Sequence, residues 1–332
     1  MPDIQTTELL GPAAAVLTSL LWVLTSLFFA TAGKRIPVTA VNTVRIILAI
    51  ILLGATHVIL HGTIWPAVAE QRQWIALALS GLIGLSLCDQ ALFTAFVDIG
   101  PRRALLCMTT SPFFALFFGA VFLNESIVPI AYAAIAITVA GIIWVVTERS
   151  EPDAGKPQDD PPSRLTRGIA LAMIGAVSQA LGGMFSKLGM GIGWLPEEQH
   201  LDAQSATLVR MVFGLFGMAP IVLTYVVMAR RASGESRRQS RWSTGLLLTA
   251  GGAVVGPFLG VWMSLVAFKH SPLAVAQTLA SLSPVLILPF SHFLLKERVT
   301  RRAVVGAIVA LIGAAALAFA PDIQRMLFSP PT

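Results

Sequence analysis

The sequence predicts an all-α polytopic membrane protein: ten transmembrane helices as two inverted five-helix repeats. Three observations predict it. Apolar residues make up 55% of the 332-residue chain and charged residues only 12%, about half the roughly 25% usual in soluble domains. Ten long apolar runs alternate with short charged or breaker-rich stretches. The last five runs repeat features of the first five in the same order.

This composition excludes a soluble globular protein, because so few charges cannot cover a water-facing surface. It equally excludes a disordered chain. The net charge of +6 does not indicate nucleic acid, since the basic residues fall between apolar runs rather than on one basic face. The two cysteines, Cys88 and Cys107, lie inside apolar runs and form no disulfide framework.

A helical span needs about 20 mostly apolar residues to cross ~30 Å of hydrocarbon. In chain order the spans are 10–31, 38–60, 73–99, 101–123, 127–147, 167–190, 204–229, 243–268, 272–295 and 299–320. Residues 1–8 carry two acids and no base, unlike the basic leader of a cleaved signal, so span 1 reads as a retained helix. Gly100-Pro101-Arg102-Arg103 should separate spans 3 and 4, and Asn124-Glu125-Ser126 spans 4 and 5. Residues 148–166, with four prolines and many charges, read as a disordered cytoplasmic linker between repeat 1 (10–147) and repeat 2 (167–320). Residues 230–242 form a basic loop.

The duplication is visible residue by residue. A shift of 172 places Ser111-Pro112 on Ser283-Pro284, Glu125 on Glu297, Ala95-Phe96 on Ala267-Phe268, Gly84 on Gly256 and Gly141 on Gly313. A shift of 165 places Arg45 on Arg210, and one of 157 places Gly11 on Gly168. The shift drifts only across loops. Five spans per copy is odd, so the second copy enters the membrane from the opposite side. Loops after odd-numbered spans hold 17 Lys/Arg. The remaining loops and termini hold 3, and Arg45, Lys187 and Arg210 complete the 23. The positive-inside rule puts the 17 in the cytoplasm and both termini outside.

Ten spans, the inverted duplication, Ser-Pro…Glu at 111–125 and 283–297, and an Arg early in the second span of each copy resemble the drug/metabolite transporter superfamily, EamA-like branch. The resemblance covers about residues 10–320. It implies a basket of ten helices around a central cavity lined mainly by spans 1, 3, 4, 6, 8 and 9, with spans 5 and 10 peripheral. It also implies alternating access for small organic solutes, often export of amino acids or related metabolites. The bacterial cytoplasmic membrane is the expected location. The long linker at 148–166 departs from the usual pattern.

Candidate functional residues follow from the cost of polarity in lipid. Asp89 lies eleven residues before Gly100, roughly 16 Å along a helix and so near the midplane. It suits proton uptake and release, or a fixed pair with Arg45 or Lys187. Its repeat equivalent is Val261, so any role is asymmetric. Arg45 and Arg210 sit near opposite ends and read as structural latches or gates. Lys187, near the outer end of span 6, either snorkels outward or holds a substrate carboxylate on a face shared with Gln179 and Gly183. Asp98 is the second intramembrane acid. Glu125 and Glu297 read as structural acceptors of backbone hydrogen bonds.

The other candidates follow from the spans and the resemblance. Trp22 and Trp262 sit mid-span, unlike interfacial Trp65, Trp74, Trp194 and Trp242, and suit an amphipathic solute. Ser26, Gln90, Gln179 and Gln277 offer polar contacts on spans expected to wall the cavity. Pro112 and Pro284 should break spans 4 and 9 at matching positions, the best sequence pointer to a site in such folds. Thr109, Thr110, Ser111, Ser281 and Ser283 are placed to satisfy the freed carbonyls, and Thr109, Thr110 and Ser281 are candidate substrate contacts at these breaks. Small-residue stripes at Ser80, Gly84 and Cys88, and at Gly252, Gly256 and Gly260, allow close helix contact or a sliding seam.

Rival readings are weaker. Gly84-Leu85-Ser86 with His270 or His292 is a poor match to an intramembrane protease, since Cys88 and not glycine follows two residues on. No metal-ligand spacing and no nucleotide-binding motif occurs, so no cofactor, metal or catalytic residue is expected. A channel would need a charged ring or filter loop. An antiporter of phosphorylated or nucleotide-linked anions remains the main alternative, favoured by three intramembrane cations against two acids. A homodimer through peripheral spans is allowed but not required.

Overall fold

The fold was determined as a computed structural model describing residues 4–33, 35–147, 162–231, 242–294 and 300–328. Among these residues every regular element is helical and ten stretches are long and apolar enough to cross a membrane. The first repeat contains α1 (Ile4–Gly33), α2 (Val38–His61), α3 (Gln71–Gly81), α4 (Cys88–Met108), α5 (Ser111–Phe122) and α6 (Pro129–Thr147). The second contains α7 (Pro162–Gly189), α8 (Ala203–Arg231), α9 (Trp242–Ala253), α10 (Val261–His270), α11 (Leu273–Ala280), α12 (Ser283–Leu294) and α13 (Arg301–Ala318). A short α14 (Ala320–Phe328) follows. It is amphipathic, with Met326 and Leu327 exposed, and the sequence reading did not anticipate it.

The two repeats interlock about a pseudo-two-fold axis, and glycine contacts establish it. Gly141 on α6 lies against Ala310 on α13, while Gly313 on α13 lies against Thr138 on α6. Both pairs are related by the shift of 172. Gly11 on α1 abuts His270 and Ser271, and its equivalent Gly168 on α7 abuts Asp98 and Ile99. Gly84 meets Gly182 where spans 3 and 6 cross. Gly256 meets Thr25 where spans 8 and 1 cross. Each repeat therefore embraces the other. A side chain at these crossings would strike backbone or a buried neighbour, so close approach selects glycine.

Lipid offers no hydrophobic drive between helices, and the chain's burial reflects that. Large apolar side chains such as Ile51, Phe117, Leu247 and Ile312 point outward, while alanines and small hydroxyls share the helix contacts with buried leucines and methionines such as Leu53, Leu265 and Met211. Buried Thr18, Thr138, Thr207 and Thr278 each donate to the carbonyl four residues back, at 2.6–2.8 Å. Their hydroxyls are thereby satisfied within their own helix.

Three features differ from the sequence expectation. The helix is not broken at Gly100-Pro101: α4 runs on to Met108. The break falls at Thr109-Thr110, where Thr109 Oγ1 donates to Leu106 O at 2.7 Å and Thr110 Oγ1 to Cys107 O at 2.6 Å. These hydroxyls close the turn, and Pro112 then opens α5, where a missing N–H is harmless. Pro112 and Pro284 therefore start new helices rather than kink continuous ones. Second, α7 begins at Pro162, inside the expected linker. Residues 148–161 of that linker lie outside the described residues. So do 232–241 of the basic loop, and Glu297. Third, spans 3 and 8 both widen from α to π hydrogen bonding, over Leu82–Leu87 and Val254–Gly260. A shift of 172 superposes one on the other.

Candidate functional site

The two π segments face a shared cavity of about 120 Å³ between the repeats, room for several waters or part of a small solute. From repeat 1, Trp22 and Thr25 on α1, Arg45 and Ile46 on α2, Gly84 and Leu85 in the first π segment, and Asp89 on α4 line it. From repeat 2, Gln179 and Gly183 on α7, Arg210 and Met211 on α8, Gly256 and Pro257 in the second π segment, and Val261, Ser264 and Phe268 on α10 complete the wall. π turns are rare and recur at functional sites.

Arg45 and Asp89 form an ion pair, with side chains 13% and 23% exposed. The Arg45 guanidinium also lies 5.4 Å from the Phe29 ring centroid. Arg210 differs. It is 5% exposed and no acid among the described residues forms an ion pair with it, whereas the Nε atoms of both arginines are buried without a partner. Its Nη2 lies beside Gly84, where a Cβ would sit 3.0 Å from it. The Gly84–Gly182 crossing thus leaves the gap into which the guanidinium reaches. Gln179 borders this region and accepts from Cys88 Sγ at 3.4 Å.

The expected site divides sharply. Trp22, Gln179, Asp89, Arg45 and Arg210 converge on the cavity. The two arginines, expected as separate latches near opposite ends, send side chains into one chamber. Other candidates do not line it. Ser26 is exposed and bonds Val23 O. Gln90 is exposed and bonds Thr94. Trp262 packs on Phe258. Thr109, Thr110 and Ser281 spend their hydroxyls on carbonyls of their own turns. Gln277 is buried and donates to Ser111 Oγ at 3.1 Å, while Ser283 donates to Ser19 O at 3.0 Å. Pro112 and Pro284 lie beyond the lining. Spans 4 and 9, expected as walls, contribute nothing to the lining of this cavity.

Lys187 corrects both of its expected roles. It is 3% exposed and does not snorkel. Its ammonium is held by Glu125 and donates to Ser271 O at 2.8 Å. The other Glu125 oxygen accepts from Leu273 N at 2.6 Å, the first amide of α11. This clamp joins the loop after α5 to the end of α7 and the α10–α11 break, away from the cavity. Asp98 is likewise committed: Arg167 donates to it twice, at 2.7 and 2.8 Å.

Sequence reasoning missed Thr25, Ser264, Phe268 and Pro257. Pro257 carried a signal, being a proline deep inside an apolar span beside a glycine matched in the other copy. Thr25 and Ser264 carried little, since each differs from its repeat mate in kind.

Comparison with known proteins agrees with this architecture. The family model described as EamA-like transporter family matches residues 9–147 and 166–319. A solved crystal structure superposes with a TM-score of 0.72 over 98% of this chain and 99% of that chain, at 18% identity. That likeness concerns the fold alone. No curated protein matches in sequence.

Proposed function

Because the chain belongs to the EamA-like transporter family, we propose that this multi-pass membrane protein exports small organic metabolites, amino acids or related compounds, as a secondary transporter. The observation that carries the reading is one cavity built by matching segments of two inverted repeats, each supplying a π turn and an arginine. Such symmetry lets one packing at the inner end exchange for its mirror at the outer end, which is alternating access. The moving bodies are repeat 1 (10–147) and repeat 2, which opens with α7 at Pro162 and runs to 320, joined by the intervening linker on the cytoplasmic face. Both termini lie outside, in a bacterial cytoplasmic membrane.

The test is counterflow. Proteoliposomes loaded with a mixed metabolite pool, with and without an imposed pH gradient, are read by mass spectrometry of released solutes. Gradient-stimulated loss of neutral or zwitterionic solutes is expected. Strict exchange of phosphorylated anions, indifferent to the gradient, would replace this reading with the antiporter. Asp89 weighs against the antiporter, because its pairing with Arg45 leaves the cavity a single uncompensated cation.

Topology has its own check. A periplasm-dependent reporter fused to the C-terminus should be active, and a cytoplasm-dependent one silent. The reverse pattern would invert the assignment of the basic loops to the cytoplasm.

A further inference from the structure

We infer that Arg210 anchors one carboxylate of the transported solute, an inference that rests on the transport reading above. A cation buried this deeply is unstable without a counter-charge. The other buried ions of the region have theirs: Arg45 has Asp89, and Lys187 has Glu125. Arg210 alone among these lines the cavity without an acid paired to it: Asp89 on the same wall is held by Arg45 and reaches Arg210 only through its field. An anionic group on a solute in the cavity supplies that counter-charge.

Charge and shape define that anion. Arg45, Asp89 and Arg210 sum to one positive charge. A carboxylate neutralises it, whereas a phosphate dianion would leave a net negative charge beside Asp89 in a low-dielectric chamber. A guanidinium fork matches a carboxylate in two parallel hydrogen bonds. Trp22 and Phe268, which also line the cavity, give the remainder of the solute an apolar surface. The Gly84–Gly182 crossing keeps the approach to the guanidinium open, since a side chain at Gly84 would crowd Nη2.

The experiment uses the full chain in detergent micelles, with thermal unfolding and calorimetric titration as readouts. The probes are benzoate, L-leucine and L-phenylalanine, each beside its own amide, and phenyl phosphate. Carboxylates should bind and raise the unfolding midpoint, and the amides should not. R210Q should weaken carboxylate binding roughly tenfold or more, with R210K retaining part. The empty R210M protein should unfold no earlier than wild type, because an unpaired buried charge has been removed. A role confined to holding the fold would instead lower that midpoint. Absence of any carboxylate effect, its survival in R210Q, early unfolding of empty R210M, or tighter binding of phenyl phosphate than benzoate each overturns the assignment. Liposomes moving no solute while carboxylate binding still follows Arg210 would sink the transport reading and leave Arg210 as the anchor of a bound, untransported carboxylate. Flux of solutes lacking a carboxylate, untouched by R210Q, would do the opposite.

Discussion

Replacing Glu125 with alanine should destabilise the protein by about 3–5 kcal/mol, the cost of leaving a buried partner charge uncompensated. The carboxylate takes the Lys187 ammonium on one oxygen and the Leu273 amide on the other. Without it, an ammonium 3% exposed keeps only Ser271 O, and the first amide of α11 loses its acceptor. The thermal unfolding midpoint in detergent reads the loss. The double variant Glu125→Ala, Lys187→Met should recover much of it, since removing both charges is far cheaper than removing one. Glu125→Gln should fall between, because the amide oxygen still accepts from Leu273. If Glu125→Ala melts with wild type, the clamp contributes nothing and the buried pair has been misjudged.

Asp89→Asn should abolish the dependence of flux on a pH gradient while leaving solute binding measurable. Asparagine imitates a protonated carboxyl: it can hydrogen-bond Arg45 but can neither hold a negative charge nor change state. Asp89 is the cavity's one acid among the described lining residues. Its ion pair with Arg45 ties α2 to α4, so removing its charge frees the arginine and loosens a tie between two helices that bound the chamber. Flux from liposomes with and without the gradient, beside binding to the same preparation, separates coupling from affinity. Arg45→Gln should also cost stability, because Asp89 is then left partly buried without its cation. A variant Asp89→Asn that still responds fully to the gradient removes Asp89 from the coupling mechanism.

Much of the architecture was legible because lipid imposes simple rules. Length and hydropathy locate ten spans, and all ten appear in the fold. Serine-proline pairs and glycines matched at one shift reveal the duplication. Gly141 and Gly313, paired by arithmetic, each lie against the other's helix. Boundaries were less legible. Gly100-Pro101 looks like a break, yet a proline tolerated in the helix does not interrupt α4, while threonines at 109 and 110 end it with their own hydroxyls. The π turns were not anticipated, since one contains a proline and the other does not.

Site residues were legible only in part. Depth along the chain, counted for Asp89 from Gly100-Pro101, rests on an end that the fold does not have, since α4 runs on to Met108. Direction could not be counted at all, because a helix carries polar groups inward, outward or toward its own backbone at equal depth. Gln90 and Gln179 are similar in type and fall on opposite sides of that choice.

The sequence by itself determined the class of protein, the number of spans, the inverted duplication and the cost attached to each buried charge, because these follow from composition, period and count. Only the tertiary structure decided how the charges are shared. Lys187, free in the sequence, is taken by Glu125 from a different repeat. Arg45 is taken by Asp89 within its own repeat, and Arg210 is left facing the cavity. Partner choice among buried ions depends on which helices cross within a few ångströms, and that is a property of three-dimensional packing rather than of order along the chain.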